Sequence, residues 1–356
     1  MDITGLRLLA QRISRPEGKT PADVVRWFGA VQSQDLAASL WAVGLRINKP
    51  AVTEADVERA IADRSVIRSW PMRGTIHLMP AEDARWMVRL LAPRLDAKLA
   101  GNYRLAELTP ETLKQAGDVI AKTLAGNQCT RAEIYAALNA AGIETSGHNT
   151  QQRGMHLLVH WARHGLICVT PRRGKQQTFA LMDEWMPGGN DLSGDEALAE
   201  LGRRYFRSHG PATLKDFAWW TGATLTEVKR ATGAIKGEFE RETVGGVEYW
   251  LSPGKTKGGK RRAFLLPPFD EYTVAYADRS AVVDRERLVA SGHGIGSNLI
   301  IDGRLAGTWK RTLKKDTVTV EFDPLRPLSA EEKALVAPAV EPYARFLGLN
   351  PSIVGF

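Results

Sequence analysis

Residues 151–181 read QQRGMHLLVHWARHGLICVTPRRGKQQTFAL, and this stretch decides the fold. Its first part, 151–164, has helical spacing. At 100° per residue Met155, Leu158, Val159, Ala162 and Leu166 fall on one face, read as the core side. Gln152, Arg153, His156, His160, Arg163 and His164 fall on the other, a donor-rich face without a carboxylate. Gly165 stops the helix. The β-prone runs 166–170 and 177–181 then flank Pro171, Arg172, Arg173, Gly174 and Lys175, a hairpin tipped by cations. A helix of donors followed by a basic hairpin is the outline of a winged helix, with the helix suited to a groove and the wing to phosphates.

The same order recurs on either side. Upstream, helices are expected over 4–11, from Thr20 with Pro21 at the first position, over 36–45, and over 53–62 behind Thr53 and Asp56. The runs 66–70 and 75–79 form a hairpin around 71–74. Thr130 and Glu133 make a capping box for the helix through Ala141 that precedes 151–164. Downstream of the loop-rich stretch 187–194, helices at 195–208, 213–221 and 226–232 lead to a hairpin turning at Gly245 and Gly246. From Pro253 the texture changes. Lys255, Lys257, Lys260, Arg261 and Arg262 lie among glycines and suit a basic linker or loop. Strands are expected at 264–266, 297–301, 305–309 and 317–322, with a tight turn at Asp302 and Gly303, then a helix from Ser329 to about Leu347. The expected class is α+β: about three tandem winged-helix units (1–118, 119–190 and 191–255) and a C-terminal mixed α/β domain, 256–356.

Composition narrows the partner. The 356 residues carry 48 Lys and Arg against 40 Asp and Glu, a net charge of +8. That excess suits a polyanion, because each cation placed on a phosphate releases counterions. Double-stranded DNA is therefore the expected partner. The candidate contacts are Arg73, His77, Gln152, Arg153, His156, His160, Arg163, Arg172, Arg173, Lys175, Lys260 and Arg261. The 2 cysteines, Cys129 and Cys168, make no disulfide framework and fit a reducing cytosol. Met1 to Ala10 does not read as a signal peptide, and no apolar run approaches the roughly 20 residues of a membrane helix. A cytoplasmic, nucleoid-associated monomer is expected. His156, His160, His164 and Cys168 repeat every four residues, which tempts a metal assignment. On one straight helix, however, the first and third histidines stand about 12 Å apart. A tetrahedral ion would need ligands from elsewhere, so no metal and no cofactor are expected.

A polar break, Val31-Gln32-Ser33-Gln34-Asp35, separates two apolar helical stretches. Taken alone, Gln34 or Asp35 caps the second helix. The surrounding blocks add another reading. They are Gln11-Arg12, Gly29-Ala30-Val31-Gln32-Ser33-Gln34, Trp41 through Arg46, Arg73 through Leu78, Leu266-Pro267-Pro268-Phe269-Asp270, and Asp302 through Trp309. In this order they resemble the AlkZ-like DNA glycosylases, bacterial repair enzymes with tandem winged helices. The resemblance implies a catalytic pair at Gln32 and Gln34, as in the two-glutamine branch, with Ser33 where the family is usually apolar. Asp35 is the third catalytic candidate, as a base or as a cap. The implied reaction is hydrolysis of the N-glycosidic bond of an N7-alkylated purine in DNA by a monofunctional glycosylase, since no lysine stands out as a Schiff-base nucleophile. Whether monoadducts or crosslinks are attacked stays open at this point. A winged-helix transcription regulator is the competing reading, because the fold evidence would be the same. A metal-dependent nuclease would have to use Asp270, Glu271 and Asp278, which are better read as turn caps or partners of Arg279. No phosphate-binding glycine loop with its following helix supports a small-molecule enzyme.

Overall fold

The computed structural model describes residues 1–49, 52–146, 152–254, 262–284, 286 and 296–355. Lys260 and Arg261 lie outside the described residues. The chain divides into two compact units, one of Ala60–Ala197 and one that joins Met1–Arg59 to Leu198–Phe356. The division does not follow four consecutive segments. The hairpin near residue 70, expected beside the N-terminal helices, belongs to the central unit. Both units mix helices with antiparallel strands, which is the α+β class expected.

In Ala60–Ala197 two hairpins carry the sheet. Val66–Met72 pairs with Thr75–Pro80, and Ile167–Arg173 with Gln176–Leu181. The hairpins join where Arg68 pairs with Val169, and Cys129–Thr130 adds to the Gln176–Leu181 edge. Arg73 and Gly74, at φ 54° and 73°, make the tight turn of the first hairpin, because two-residue turns that match strand twist need left-handed backbone at both positions. Ile120, Leu124, Ile134, Leu138, Leu157, Leu158, Ala162 and Ile167, all fully buried, close the core under the helices Pro110–Leu124, Arg131–Ala140 and Arg153–Arg163. Gly117 permits this closeness. A Cβ there would lie 2.3 Å from the Trp161 ring, whose Nε1 donates to the Leu113 carbonyl at 3.0 Å. The 22-residue helix Ala84–Leu105 completes the unit.

In the other unit the strands run Asn350–Val354, Thr317–Pro324, Arg304–Leu313, Asn298–Ile301 and Ala263–Leu266, antiparallel except for the first pair. Asp302 and Gly303, both at positive φ, form the expected tight turn. The helix Ala330–Leu347 begins at a capping box of Ser329 and Glu332. It packs aromatically against the helix Leu36–Gly44: Tyr343 and Phe346 lie 5.1 and 5.2 Å from Trp41. The hairpin Glu240–Val244 with Val247–Leu251 turns at Gly245 and Gly246 and follows the helices Gly194–His209, Leu214–Thr221 and Leu225–Thr232. No helix among the described residues is long and apolar enough to cross a membrane.

Candidate active site and nucleic-acid interface

The helix Pro21–Phe28 ends at Gly29, whose φ of 81° turns the chain into an extended run at Val31–Gln32. Asp35 then caps the helix Leu36–Gly44, its Oδ1 accepting from the Ala38 N–H at 3.1 Å. The capping alternative is thus what the Asp35 carboxylate does. Between them Ser33 is fully buried, its Oγ 2.7 Å from that of Ser39. The extended run ends at Gln32, and Gln34 lies in the bend that leads into the helix. An apolar residue would fill this inward position by packing, whereas Ser33 fills it by hydrogen bonding. Gln32 is 9% exposed and Gln34 is exposed, with no hydrogen-bond partner for the Gln34 amide among the described residues.

A buried polar lattice fixes the backbone under this pair. Glu271, 1% exposed, accepts from the Gln32 N–H through Oε1 at 2.8 Å and from Trp220 Nε1 through Oε2 at 2.8 Å. His209 Nε2 stands 3.4 Å from Oε2. Burial pushes the His209 imidazole below its usual range against the pull of Glu271, which favours its neutral form. One residue before Glu271, Asp270 takes both ends of the Arg46 guanidinium at 2.8 Å. Arg46 also donates to the carbonyls of Gln11 and Ala42 and to the Gln11 side chain. Three sequence blocks, at Gln11, Arg46 and, 224 positions beyond Arg46, Asp270, therefore meet in one network. The acidic cluster weighed for a nuclease does not converge. Asp270 serves Arg46, Glu271 serves Gln32 and Trp220, and Asp278 accepts from the Ser280 N–H.

The expected DNA face needs correction. Along Arg153–Arg163 the structure buries His160 and Arg163 together with Leu157, Leu158 and Ala162, and leaves Met155 and Val159 half-buried. The cause is Asp96, on the helix Ala84–Leu105. Its Oδ1 accepts from Arg163 Nη2 at 2.7 Å, and its Oδ2 lies 2.6 Å from His164 Nε2. Tyr103 bonds His160 and Arg163 from the same helix. The carboxylate missing from the local sequence is supplied by a neighbour, and the cationic side becomes a second packed interface. Arg153 donates to the carbonyls of Ala106, Glu107 and Glu144, and so ties loops together. His156 packs edge-on to Tyr103, and burial lowers its pKa. His77 is fully buried, with Nδ1 2.9 Å from the Thr75 carbonyl and Nε2 3.5 Å from Arg73 Nη2. Arg153, His160, Arg163 and His77 are thus engaged within the protein, and His156 is half-buried. Gln152, Arg172 and Lys175 remain exposed, while Arg173 folds back onto Glu133 and the Gln128 carbonyl.

Asp96, His160 and His164 have donor atoms within 4.8 Å of one another and form the one group among the described residues that could hold a metal ion. With Arg163 on the same carboxylate, they are arranged as an ion-pair cluster. Burial pushes the Asp96 carboxyl up, but its bonds to His160 and His164 and the Arg163 charge outweigh that and hold it far below the usual carboxylate range. A depressed pKa stabilises the fold above the unfolded value, near 3.9, and that contribution fades as pH falls towards the folded value. Asp96→Asn is expected to lower the melting temperature at pH 7, with the gap to wild type closing below about pH 4. Thermal melts of both proteins between pH 7 and 2 check this, and a constant gap would deny the ion pairs their role.

Sequence reasoning missed the parts played by Glu271, His209, Trp220 and Asp96. Glu271 was weighed only as part of an acidic cluster, because the contacts that give Glu271 and Asp96 their parts are long-range.

A family model described as DNA glycosylase AlkZ-like matches residues 25–346. An interstrand DNA cross-link repair glycosylase of Streptomyces sahachiroi is 27% identical over 331 residues, covering 88% of each chain. The solved structure of Streptomyces sahachiroi DNA glycosylase AlkZ is similar with a TM-score of 0.83 over 100% of this chain and 98% of that one, at 23% identity, a likeness of fold. With the matched model running through the glutamine motif, the Arg46–Asp270 lattice and the final helix, the chain belongs to the AlkZ-like DNA glycosylase family.

Proposed function

We propose that this glycosylase hydrolyses the N-glycosidic bond of N7-alkylated purines in duplex DNA, bulky adducts and interstrand crosslinks included, with Gln32 and Gln34 holding the attacking water. The observation that carries the reading is the Gln32-Ser33-Gln34 run, fixed by the Glu271 bond to the Gln32 N–H and by the buried Ser33–Ser39 bond, with Gln34 exposed at its end. A purine alkylated at N7 is already cationic and leaves as a neutral base, so the bond is weak before the enzyme acts. The transition state resembles an oxocarbenium ion and needs a water placed beneath C1′. Two amide oxygens orient that water and face the positive sugar, so no strong base is required. Asp35 stays with its helix. The crosslink part of the proposal draws on the activity named for the Streptomyces sahachiroi relative.

The helix–hairpin segments, three in number, are proposed to act as winged helices that hold the duplex, with Arg172 and Lys175 of the central wing on phosphates. The protein would work in the cytoplasm, on the nucleoid. A regulator, the competing reading, would be indifferent to Gln34. The test incubates the protein with duplexes carrying N7-methylguanine, an N7–N7 interstrand crosslink, or no damage, and measures free base and unhooked strand. Both damaged duplexes should react and the undamaged one should not. Asp35→Ala serves as the internal control, losing about 1 kcal/mol of stability with its cap while keeping its rate of base release. An Asp35→Ala protein that is stable but catalytically dead would return Asp35 to the chemistry.

A further inference from the structure

The exposed large apolar side chains include two aromatics, Trp219 at 48% and Phe269 at 38% exposure. Both border the group that fixes the glutamine motif. Phe269 precedes Asp270 and Glu271, and Trp219 precedes Trp220, whose indole bonds Glu271. Since Glu271 accepts from the Gln32 N–H at 2.8 Å, the Phe269 backbone lies within about 15 Å of Gln32 by chain length alone.

Phe269 is also held in an unusual posture. The Asp270 N–H donates to the Pro267 carbonyl at 3.4 Å, closing a four-residue turn with Pro268 second and Phe269 third. Phe269 has φ 62°. Turns with proline second and a positive φ third favour glycine or asparagine there, and a bulky side chain in the left-handed region is strained. The neighbours that impose this are firm, because Asp270 and Glu271 are both 1% exposed and fully bonded. A strained backbone that exposes an aromatic ring contributes nothing to the core, and strain retained by well-fixed neighbours marks function. Trp219 is fixed differently. Its Nε1 donates to the Val274 carbonyl at 3.1 Å, at the far end of the helix Glu271–Val274, and the Arg279 guanidinium lies 5.8 Å from its ring. Two outward rings with a cation beside one are the elements of a surface that takes bases by their faces.

We propose that Phe269 and Trp219 form a base-stacking surface that receives bases unstacked beside the lesion. It rests on the function proposed above and adds how the damaged duplex is recognised. The two rings read the open stack and the amides act on the sugar. Stacking is tolerant of sequence because every base has a face, as a repair enzyme requires.

The test measures binding of the full chain to a duplex with a tetrahydrofuran abasic analogue beside 2-aminopurine, by anisotropy and by 2-aminopurine fluorescence. Phe269→Leu and Trp219→Leu are each expected to weaken binding about 5- to 100-fold and to abolish the quenching of 2-aminopurine. Phe269→Trp and Trp219→Phe should restore both readouts, with melting temperatures close to wild type. A merely structural ring would shift the melting temperature and leave the fluorescence unchanged. A loss confined to one ring keeps that residue and removes the other. Unaltered binding and quenching in both leucine variants overturns the stacking surface. Wild-type binding with no base release would instead sink the proposed chemistry and leave the stacking result standing.

Discussion

Gln34→Ala is expected to slow release of N7-methylguanine from duplex DNA by about 10²-fold or more, with the fold and the affinity for DNA preserved. Gln34 is exposed, makes no hydrogen bond among the described residues and holds no element in place. Its removal therefore leaves the lattice intact, and a lost rate reports on chemistry. Gln32→Ala should lose a similar factor, but Gln32 is 9% exposed, so some stability goes with it. Single-turnover rates at saturating protein separate the two effects, because they are insensitive to a modest change in affinity. The double variant should be little worse than either single one if both amides hold the same water, since residues that act as a unit are not additive.

Asp270→Ala should produce the largest loss of stability of any single change considered. It strands the Arg46 guanidinium, 2% exposed, without its carboxylate. Breaking a buried pair from one side costs about 3–5 kcal/mol, because the remaining charge stays desolvated. The same change removes the cap of the helix Glu271–Val274, where Asp270 accepts from the Tyr272 N–H at 2.9 Å. Urea unfolding should show a lower midpoint with the slope unchanged. Asp270→Asn, which keeps an acceptor and the shape, should fall between. Replacing Arg46 and Asp270 together by apolar residues of similar size should recover most of the loss, since the pair itself contributes little net stability. If Asp270→Ala unfolds at the wild-type midpoint, the lattice is not what holds the Glu271 segment.

The local elements were legible because their signals are local. Thr130 with Glu133 is a capping box as expected, the last helix starts behind Ser329, and Gly245 with Gly246 turns a hairpin. The helix Ala84–Leu105, which has Pro93 inside it, was not read, and with it went Asp96. That one omission reversed the reading of the following cationic face, because amphipathicity records an apolar stripe but not an ionic partner 64 residues away at His160. The strand Asn350–Val354 was equally silent, being a short, mostly exposed edge containing Pro351 that is defined by pairing with Thr317–Pro324. At the site, Gln32, Gln34 and the cap Asp35 could be named in advance, whereas their anchor could not. Glu271 reads as a turn residue until the fold brings it to Gln32, 239 positions away.

Direct trial of the catalytic idea comes from one stoichiometric reaction of wild-type protein with an N7-methylguanine duplex, quenched with borohydride. Water delivered by two neutral amides predicts free N7-methylguanine, an abasic strand that stays whole until alkali is added, and no protein–DNA adduct. A trapped covalent adduct, strand scission without alkali, or lesion DNA returned with its base still attached would contradict it.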